Sequence, residues 1–228
     1  MNKFNQEKQA YLTENPRAKD YYPLVYKLIE TKGYKSLLDV GCASGDFINL
    51  MKIDDVKCVG LDIQKELIDD AKSKSNNPNA KFLYGNILED NFSVDMPVDC
   101  ITCFGTAVTI ENLALLLERF ISLKPKLIFI NDVINVNGLD VVVGYRRQGS
   151  SDFNYPYNIR CKDTWMQLLK GFPDYSIEFE PYVMKTNLIK SNDPIRNFHS
   201  SIDGETLQRN GMDLILRPHN ILIKNKHF

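Results

Sequence analysis

Residues 37–46 combine small residues with acidic ones in a pattern that suits the binding of a small cofactor. The apolar run 36–40 predicts a buried strand, residues 41–45 predict a tight turn, and residues 47–51 predict the start of a helix. Small residues let the backbone approach a ligand closely, and the start of a helix offers N–H groups that the helix leaves unpaired. The segment therefore predicts a cofactor-binding turn at the end of a strand.

The residue types in this turn favour a cationic ligand over a phosphate. A dinucleotide fingerprint requires Gly-x-Gly-x-x-Gly, but its three positions are occupied here by Gly41, Ala43 and Asp46. Asp46 would repel a phosphate at the start of the helix, whereas Asp39, at the carboxyl end of the strand, suits a positively charged group. S-adenosylmethionine fits, because it is compact, carries ammonium and sulfonium centres and has no phosphate.

Beyond this turn, the chain resembles the class I S-adenosylmethionine-dependent methyltransferases over residues 34–134. Four further segments match the family in its own order, and they are residues 59–63, 81–87, 98–105 and 127–132. The resemblance implies an α/β, Rossmann-like fold with a mostly parallel seven-stranded sheet and helices on both faces. It also implies an antiparallel last strand, which we place at residues 212–224, where Pro218 predicts a bulge or an edge position.

The resemblance also implies which residues hold S-adenosylmethionine. Asp62 would bind the two ribose hydroxyls, and its alternative role is to cap the next helix. Asn86, where the family commonly has Asp, would meet the adenine together with Ile87; a plain turn residue is the alternative for Asn86. The carbonyl of Phe104 or of Gly105 would meet the methionine ammonium, unless Phe104 belongs to the core. The complete predicted set is Asp39, Gly41, Cys42, Ala43, Gly45, Asp62, Ile63, Asn86, Ile87, Phe104 and Gly105.

Two long stretches after the fifth predicted strand, residues 135–160 and 185–211, lack a regular pattern. Because ligands of such sheets bind beyond the carboxyl ends of the strands, we expect both stretches to line the methyl-acceptor site, together with Tyr21 and Tyr22. Four arginines in these stretches either bind an anionic acceptor or form ordinary solvated charge. They are Arg146, Arg147, Arg160 and Arg196.

The predicted reaction is methyl transfer to a small molecule, most readily at oxygen. Enzymes that methylate nucleic-acid nitrogens usually carry an Asp/Asn-Pro-Pro-aromatic tetrad after the fourth strand, and Phe104-Gly105-Thr106 departs from it. His199 and Asp132 are the predicted general bases, although such methyl transfer can proceed by alignment alone. Methylation of a small-molecule nitrogen and non-catalytic binding of the cofactor remain alternatives, whereas the glycine spacing disfavours a nicotinamide dehydrogenase.

Composition limits the remaining classes of function. The 228 residues, 43% of them hydrophobic, predict one domain with an N-terminal segment (1–33), a cofactor-binding half (34–134) and a substrate-side half (135–228). The net charge of −1 argues against a nucleic-acid partner. We expect no membrane span and no secretory signal. We also expect a cytoplasmic protein that is a monomer or a homodimer.

Cysteine spacing predicts no metal site. Of the five cysteines, Cys100 and Cys103 lie three residues apart on a predicted strand, so their thiols point to opposite faces. The sequence therefore predicts reduced, packed thiols. Apolar spacing further predicts helices over residues 22–31, 66–73, 111–123 and 162–169, and alternation predicts a strand over residues 175–180.

Overall fold

Parallel strands joined by helices form the middle of the protein. The computed structural model describes residues 19–50, 55–146, 148–149, 151–152, 154–182, 197–202, 204–210 and 215–228. The helices are α1 (Tyr22–Lys32), α2 (Asp46–Leu50), α3 (Lys65–Lys74), a 3₁₀ helix (Ala107–Thr109), α4 (Leu113–Ser122) and α5 (Lys162–Leu169). The strands are β1 (Ser36–Val40), β2 (Lys57–Asp62), β3 (Ala80–Tyr84), β4 (Cys100–Phe104), β5 (Leu127–Asn135), β6 (Val141–Tyr145), β7 (Asn154–Cys161), β8 (Tyr175–Pro181), β9 (Asn197–Ile202), β10 (Glu205–Asn210), β11 (Ile215–Leu216) and β12 (Pro218–Asn225).

The central sheet has the strand order β3-β2-β1-β4-β5-β12-β8. Strands β1 to β5 pair in parallel, and β12 runs antiparallel to both of its neighbours, β5 and β8. β7 pairs with the end of β5, and β6 pairs with β7, so that the sheet reaches nine strands. The predicted Rossmann-like, mostly parallel sheet with an antiparallel last strand is confirmed.

Two hydrophobic clusters cover the two faces of this sheet. One cluster contains Val25 of α1, Phe47 of α2 and Phe129 of β5, and the other contains Leu116 of α4 and Trp165 of α5. Cys100 belongs to the first cluster and Cys103 to the second, so the two thiols do point to opposite faces, as the spacing predicted. No helix in the described ranges is long and apolar enough to cross a membrane.

Local signals in the sequence explain the ends of several elements. α1 has a proline, Pro23, in its first turn and ends at Gly33, whose left-handed conformation (φ 64°) lets its N–H donate to the carbonyls of the last turn. α5 spans the predicted range 162–169, and α3 and α4 lie within one or two residues of their predicted ends. Proline and glycine positions, together with apolar spacing, were sufficient to predict where these helices begin and end.

Three predictions about the second half of the chain were wrong. The last central strand begins at Pro218 and not at residue 212, because a residue without an N–H is readily accepted as the first residue of a strand. Ile215–Leu216 instead pairs with β10 in a separate three-stranded sheet of order β11-β10-β9. The stretches 135–160 and 185–211, predicted to be irregular, contain β6, β7, β9 and β10.

Candidate functional site

The turn after β1 uses its own backbone donors within the protein. The N–H groups of Gly41 and Cys42 both donate to the Leu61 carbonyl, at 2.8 and 3.1 Å. The Ala43 N–H donates to the Asp62 carboxylate at 2.9 Å, and the Gly45 N–H donates to the Cys42 carbonyl at 2.9 Å. Because these four donors are taken, they are not available to a pyrophosphate.

The shape of the turn requires glycine at two positions. Gly41 (φ 76°) and Gly45 (φ 74°) have left-handed backbones, which residues with a side chain rarely adopt. A Cβ atom on Gly41 would overlap the side chain of Thr106, and one on Gly45 would lie 2.5 Å from the Phe82 ring. The turn therefore packs directly against the loop that follows β4.

Asp39 is a buried acid at the end of β1, only 2% exposed. Its carboxylate accepts a hydrogen bond from the Thr102 hydroxyl at 2.8 Å. The pKa of Asp39 is raised to about 7, chiefly by burial and also by the nearby charge of Asp62, although the Thr102 hydrogen bond lowers it in part. A cation beside Asp39 would offset this burial, so the site suits an ammonium group.

Asp62 ends β2 and ties the turn to the sheet. One carboxylate oxygen accepts the Ala43 N–H and the other accepts the Gln64 N–H, both at 2.9 Å. Burial raises the pKa of Asp62, and these backbone hydrogen bonds lower it in part. Each carboxylate oxygen has a second lone pair, so the group can accept two hydroxyls while it keeps both backbone bonds.

The residues predicted to meet the adenine occupy different environments. The Asn86 side-chain carbonyl accepts the Leu88 N–H at 3.0 Å, so it does make the turn contact that was the alternative reading. Ile87 is buried in the hydrophobic core. Ile63 is 52% exposed directly after Asp62, and an exposed aliphatic side chain there offers a surface to a flat ring.

An aromatic cluster surrounds Phe104 at the end of β4. Its ring lies 4.8 Å from the Tyr21 ring, 5.5 Å from the Tyr22 ring and 5.1 Å from the Phe47 ring. Tyr182, after β8, lies 5.6 Å from Tyr21. The sequence analysis expected Tyr21 and Tyr22 at the acceptor site and did not include Tyr182, which the strand order brings against Tyr21.

Other predicted cofactor residues lie on the same loops. Gly105 is exposed with a left-handed backbone (φ 65°), and a Cβ atom there would meet nothing within 4 Å. Its N–H donates to the Asn131 carbonyl at 2.8 Å. The Cys42 side chain is buried and packs close to Gly60, where an added Cβ atom would lie 2.8 Å from the Cys42 sulfur.

The two predicted bases lie on different sheets. Asp132, on β5, is 4% exposed, and its oxygens accept the N–H groups of Val108 (2.6 Å) and Val133 (2.7 Å). Burial raises the pKa of Asp132 to about 7. His199 lies on β9 of the three-stranded sheet, opposite Gln208. Through its bond with the Val108 N–H, Asp132 holds the 3₁₀ helix against the sheet.

The structure describes two of the four arginines that were predicted to bind an anion. Arg160 donates to the Glu111 carbonyl at 2.8 Å, and Arg146 is exposed after the end of β6. Arg147 and Arg196 lie outside the described residues. In the described ranges, no three His, Cys, Asp or Glu side chains are placed to hold a metal ion.

Comparison with known proteins gives one family and several structures of the same fold. A family model described as a methyltransferase domain matches residues 31–170, more than half of the chain. Magnesium protoporphyrin IX methyltransferase from Synechocystis PCC 6803, with bound SAH, is 11% identical with a TM-score of 0.59, over 98% of this chain and 96% of that one.

Two other solved structures have the same TM-score of 0.59. The YcgJ protein from Bacillus subtilis is 13% identical, over 90% of this chain and 97% of that one. The plantazolicin methyltransferase BpumL, in complex with a pentazolic desmethylPZN analog and SAH, is 18% identical, over 98% of this chain and 90% of that one. No protein with a curated description matches the sequence. At these identities the solved structures show a shared fold.

Proposed function

The chain belongs to the methyltransferase domain family, and we propose that it transfers a methyl group from S-adenosylmethionine to an oxygen atom of a small molecule. The cofactor supplies a methyl group on a positively charged sulfur, which an acceptor oxygen can attack. The observation that supports this cofactor best is the turn after β1, where two buried acids, Asp39 and Asp62, flank backbone donors that are already taken. Such a site suits a cation with hydroxyl groups and does not suit a phosphate.

The proposed placement of the cofactor follows the carboxyl ends of β1, β2, β3 and β4. Asp62 would accept the ribose hydroxyls, and Ile63 would cover one face of the adenine, whose edge would meet Asn86 and Ile87. Asp39 would lie nearest the methionine ammonium, with the carbonyl of Phe104 or of Gly105. Gly41, Cys42, Ala43 and Gly45 would form the wall of the turn, and Cys42 and Ala43 would contact the cofactor without donating an N–H.

The acceptor would approach from the later strands. The hairpin of β6 and β7 packs over the loop after β4, since the Asn158 side chain donates to the Val108 carbonyl at 3.3 Å. Tyr21 and Tyr22 close the opposite side through their contacts with Phe104. We propose that these elements exclude water and align the acceptor, and that His199 accepts its proton.

Of the two described arginines in the predicted set, Arg160 is engaged with the Glu111 carbonyl and Arg146 is exposed after β6. We propose a small polar molecule as the acceptor. All five cysteines are free and buried, which supports a reducing, cytoplasmic environment.

Calorimetry on purified protein tests the proposed cofactor. We expect S-adenosylmethionine and S-adenosylhomocysteine to bind, and Asp62→Asn to weaken both by about 10- to 100-fold, because charge-assisted hydrogen bonds are lost. Asp69→Asn is the matched control, since Asp69 is an exposed acid on the next helix, paired with Lys65. Tight binding of NADH without binding of S-adenosylmethionine would overturn the proposal.

A further inference from the structure

Three polar side chains form a row across the later strands of the central sheet. Asn131 of β5 stands opposite Asn220 of β12, and Asn220 stands opposite Glu180 of β8. On the other side of Asn131 the neighbour is Phe104 of β4. Because neighbouring strands lie about 4.8 Å apart, the polar row is about 10 Å long and continues the line of the aromatic cluster.

The polar row faces the side of the sheet that carries the aromatic cluster. Phe129 and Leu222, two residues from Asn131 and Asn220 on the same strands, both belong to the hydrophobic cluster with α1 and α2. Side chains two residues apart on a strand share a face. The row therefore puts polar side chains on this otherwise apolar face, level with Phe104 at the carboxyl end of β4.

The side-chain amides of Asn131 and Asn220 can form more hydrogen bonds than the one that joins them. Asn131 is 8% exposed and Asn220 is 4% exposed, and the Asn131 amide donates to the Asn220 carbonyl at 2.8 Å. In the described ranges this is the one hydrogen bond of either side chain. Two facing amides offer further donors and acceptors beyond this bond. A polar ligand on this face would bond to them.

Tyr182 adds a donor at the end of the row. It follows Glu180 by two residues and packs against Tyr21. Its hydroxyl is buried and lacks a hydrogen-bond partner in the described ranges. Burial and the charge of Asp20 raise the pKa of Tyr182 to about 12, so the phenol keeps its proton at neutral pH. The hydroxyl is thus ready to donate to a ligand.

Glu180 is the acidic member of the row, and it is exposed at the end of β8. We propose that Asn131, Asn220, Glu180 and Tyr182 bind the methyl acceptor, and that this acceptor is a small amine carrying hydroxyl groups. Its ammonium group pairs with Glu180, and its hydroxyls bond to the asparagine amides and to Tyr182. This inference rests on the proposed methyltransferase function and specifies its substrate class.

A panel of three sugars tests the charge preference. The probes are D-glucosamine, D-glucose and D-glucose 6-phosphate, which carry a positive, a neutral and a negative group on one scaffold. Binding is measured by ligand-observed NMR with S-adenosylhomocysteine present, and turnover by S-adenosylhomocysteine release from S-adenosylmethionine. We expect the amine to bind at least about tenfold more tightly than the phosphate. Equal binding, preference for the phosphate or no binding of the amine would overturn the inference.

Variants on one strand locate the ammonium contact. We expect Glu180→Gln to weaken binding of D-glucosamine by about two- to fivefold, the range of an exposed ion pair. Glu178→Gln is the control, because Glu178 lies on the same face of β8 two residues away, where it pairs with Lys224 at 2.5 Å. If both variants bind the amine as the wild type does, the row is not the acceptor site.

Cofactor binding separates the two proposals. If S-adenosylhomocysteine binds the wild type and both variants equally, a failure on the sugar panel refutes the row alone. If S-adenosylhomocysteine does not bind at all, the methyltransferase proposal fails and this inference falls with it. Tyr182→Phe keeps the ring contact with Tyr21 and removes the donor, so we expect weaker amine binding at unchanged thermal stability.

Discussion

Asp39 should make the stability of the cofactor-free protein depend strongly on pH. Its carboxylate is 2% exposed and has one side-chain hydrogen bond, from Thr102. Burial raises its pKa from 3.8 to about 7. The folded state therefore binds the Asp39 proton more tightly than the unfolded state does. This contribution to stability is full below pH 3.8 and is lost as the pH rises towards 7.

The expected magnitude follows from the difference between the two pKa values. About three pH units correspond to about 4 kcal/mol, of which about 3 kcal/mol falls between pH 4.5 and 7.5. Asp39→Asn removes the titration and keeps an oxygen that can accept the Thr102 hydroxyl. The variant should thus gain stability relative to the wild type by about 3 kcal/mol over that interval.

Urea unfolding at half-unit steps from pH 4.5 to 7.5 measures this difference. Asp69→Asn, an exposed acid on α3, serves as the control and should follow the wild-type profile. Parallel profiles for Asp39→Asn and the wild type would show that Asp39 is ionised throughout this pH interval without a ligand, and would refute the reasoning. With S-adenosylhomocysteine bound, we expect the ammonium group to favour the ionised form, so binding at pH 6.5 should release a proton to the buffer.

Four further variants test the turn and the predicted bases. Gly41→Ala should destabilise the protein by more than about 2 kcal/mol, because the new Cβ atom sits on a left-handed backbone and overlaps Thr106. Gly33→Ala is the control, since its left-handed backbone lies in open space, and it should cost about 1–2 kcal/mol. Equal losses of stability for the two variants in chemical denaturation would contradict the overlap. At about pH 4.5, where the Asp132 carboxyl carries its proton, Asp132→Asn should lower stability by about 1–3 kcal/mol, because the amide nitrogen cannot accept a backbone N–H; a rate loss at wild-type stability would identify Asp132 as a base. His199→Ala should slow methyl transfer by roughly 10²–10⁴-fold, and a loss below tenfold would argue for alignment alone.

The first half of the fold could be predicted because its signals are local. The apolar run of β1, the glycines of the turn and Gly33 after α1 each fix a boundary through nearby residues. The strands β9 and β10 were missed because polar residues such as Ser200 and Gln208 break the apolar alternation. The Asp203-Gly204 dipeptide between them, which favours a two-residue hairpin turn, was the available signal.

The proposed site could be inferred from the sequence only where it depends on one loop. Asp39 and Asp62 were proposed because each ends a strand next to a recognisable turn. The asparagine pair was not, since Asn131 and Asn220 lie 89 residues apart and meet only because β12 inserts between β5 and β8. Tyr182 reaches Tyr21 for the same reason. Strand order, which no single segment encodes, decides such contacts.

A crystal structure with S-adenosylhomocysteine would test the proposed site most directly. We predict that both ribose hydroxyls lie within about 3 Å of the Asp62 carboxylate, because that group retains a free lone pair on each oxygen. The ammonium group should lie beside Asp39, and the sulfur should face Phe104 and the polar row. A ligand bound away from the carboxyl ends of β1 and β2, or one whose ribose makes no contact with Asp62, would contradict the proposed function.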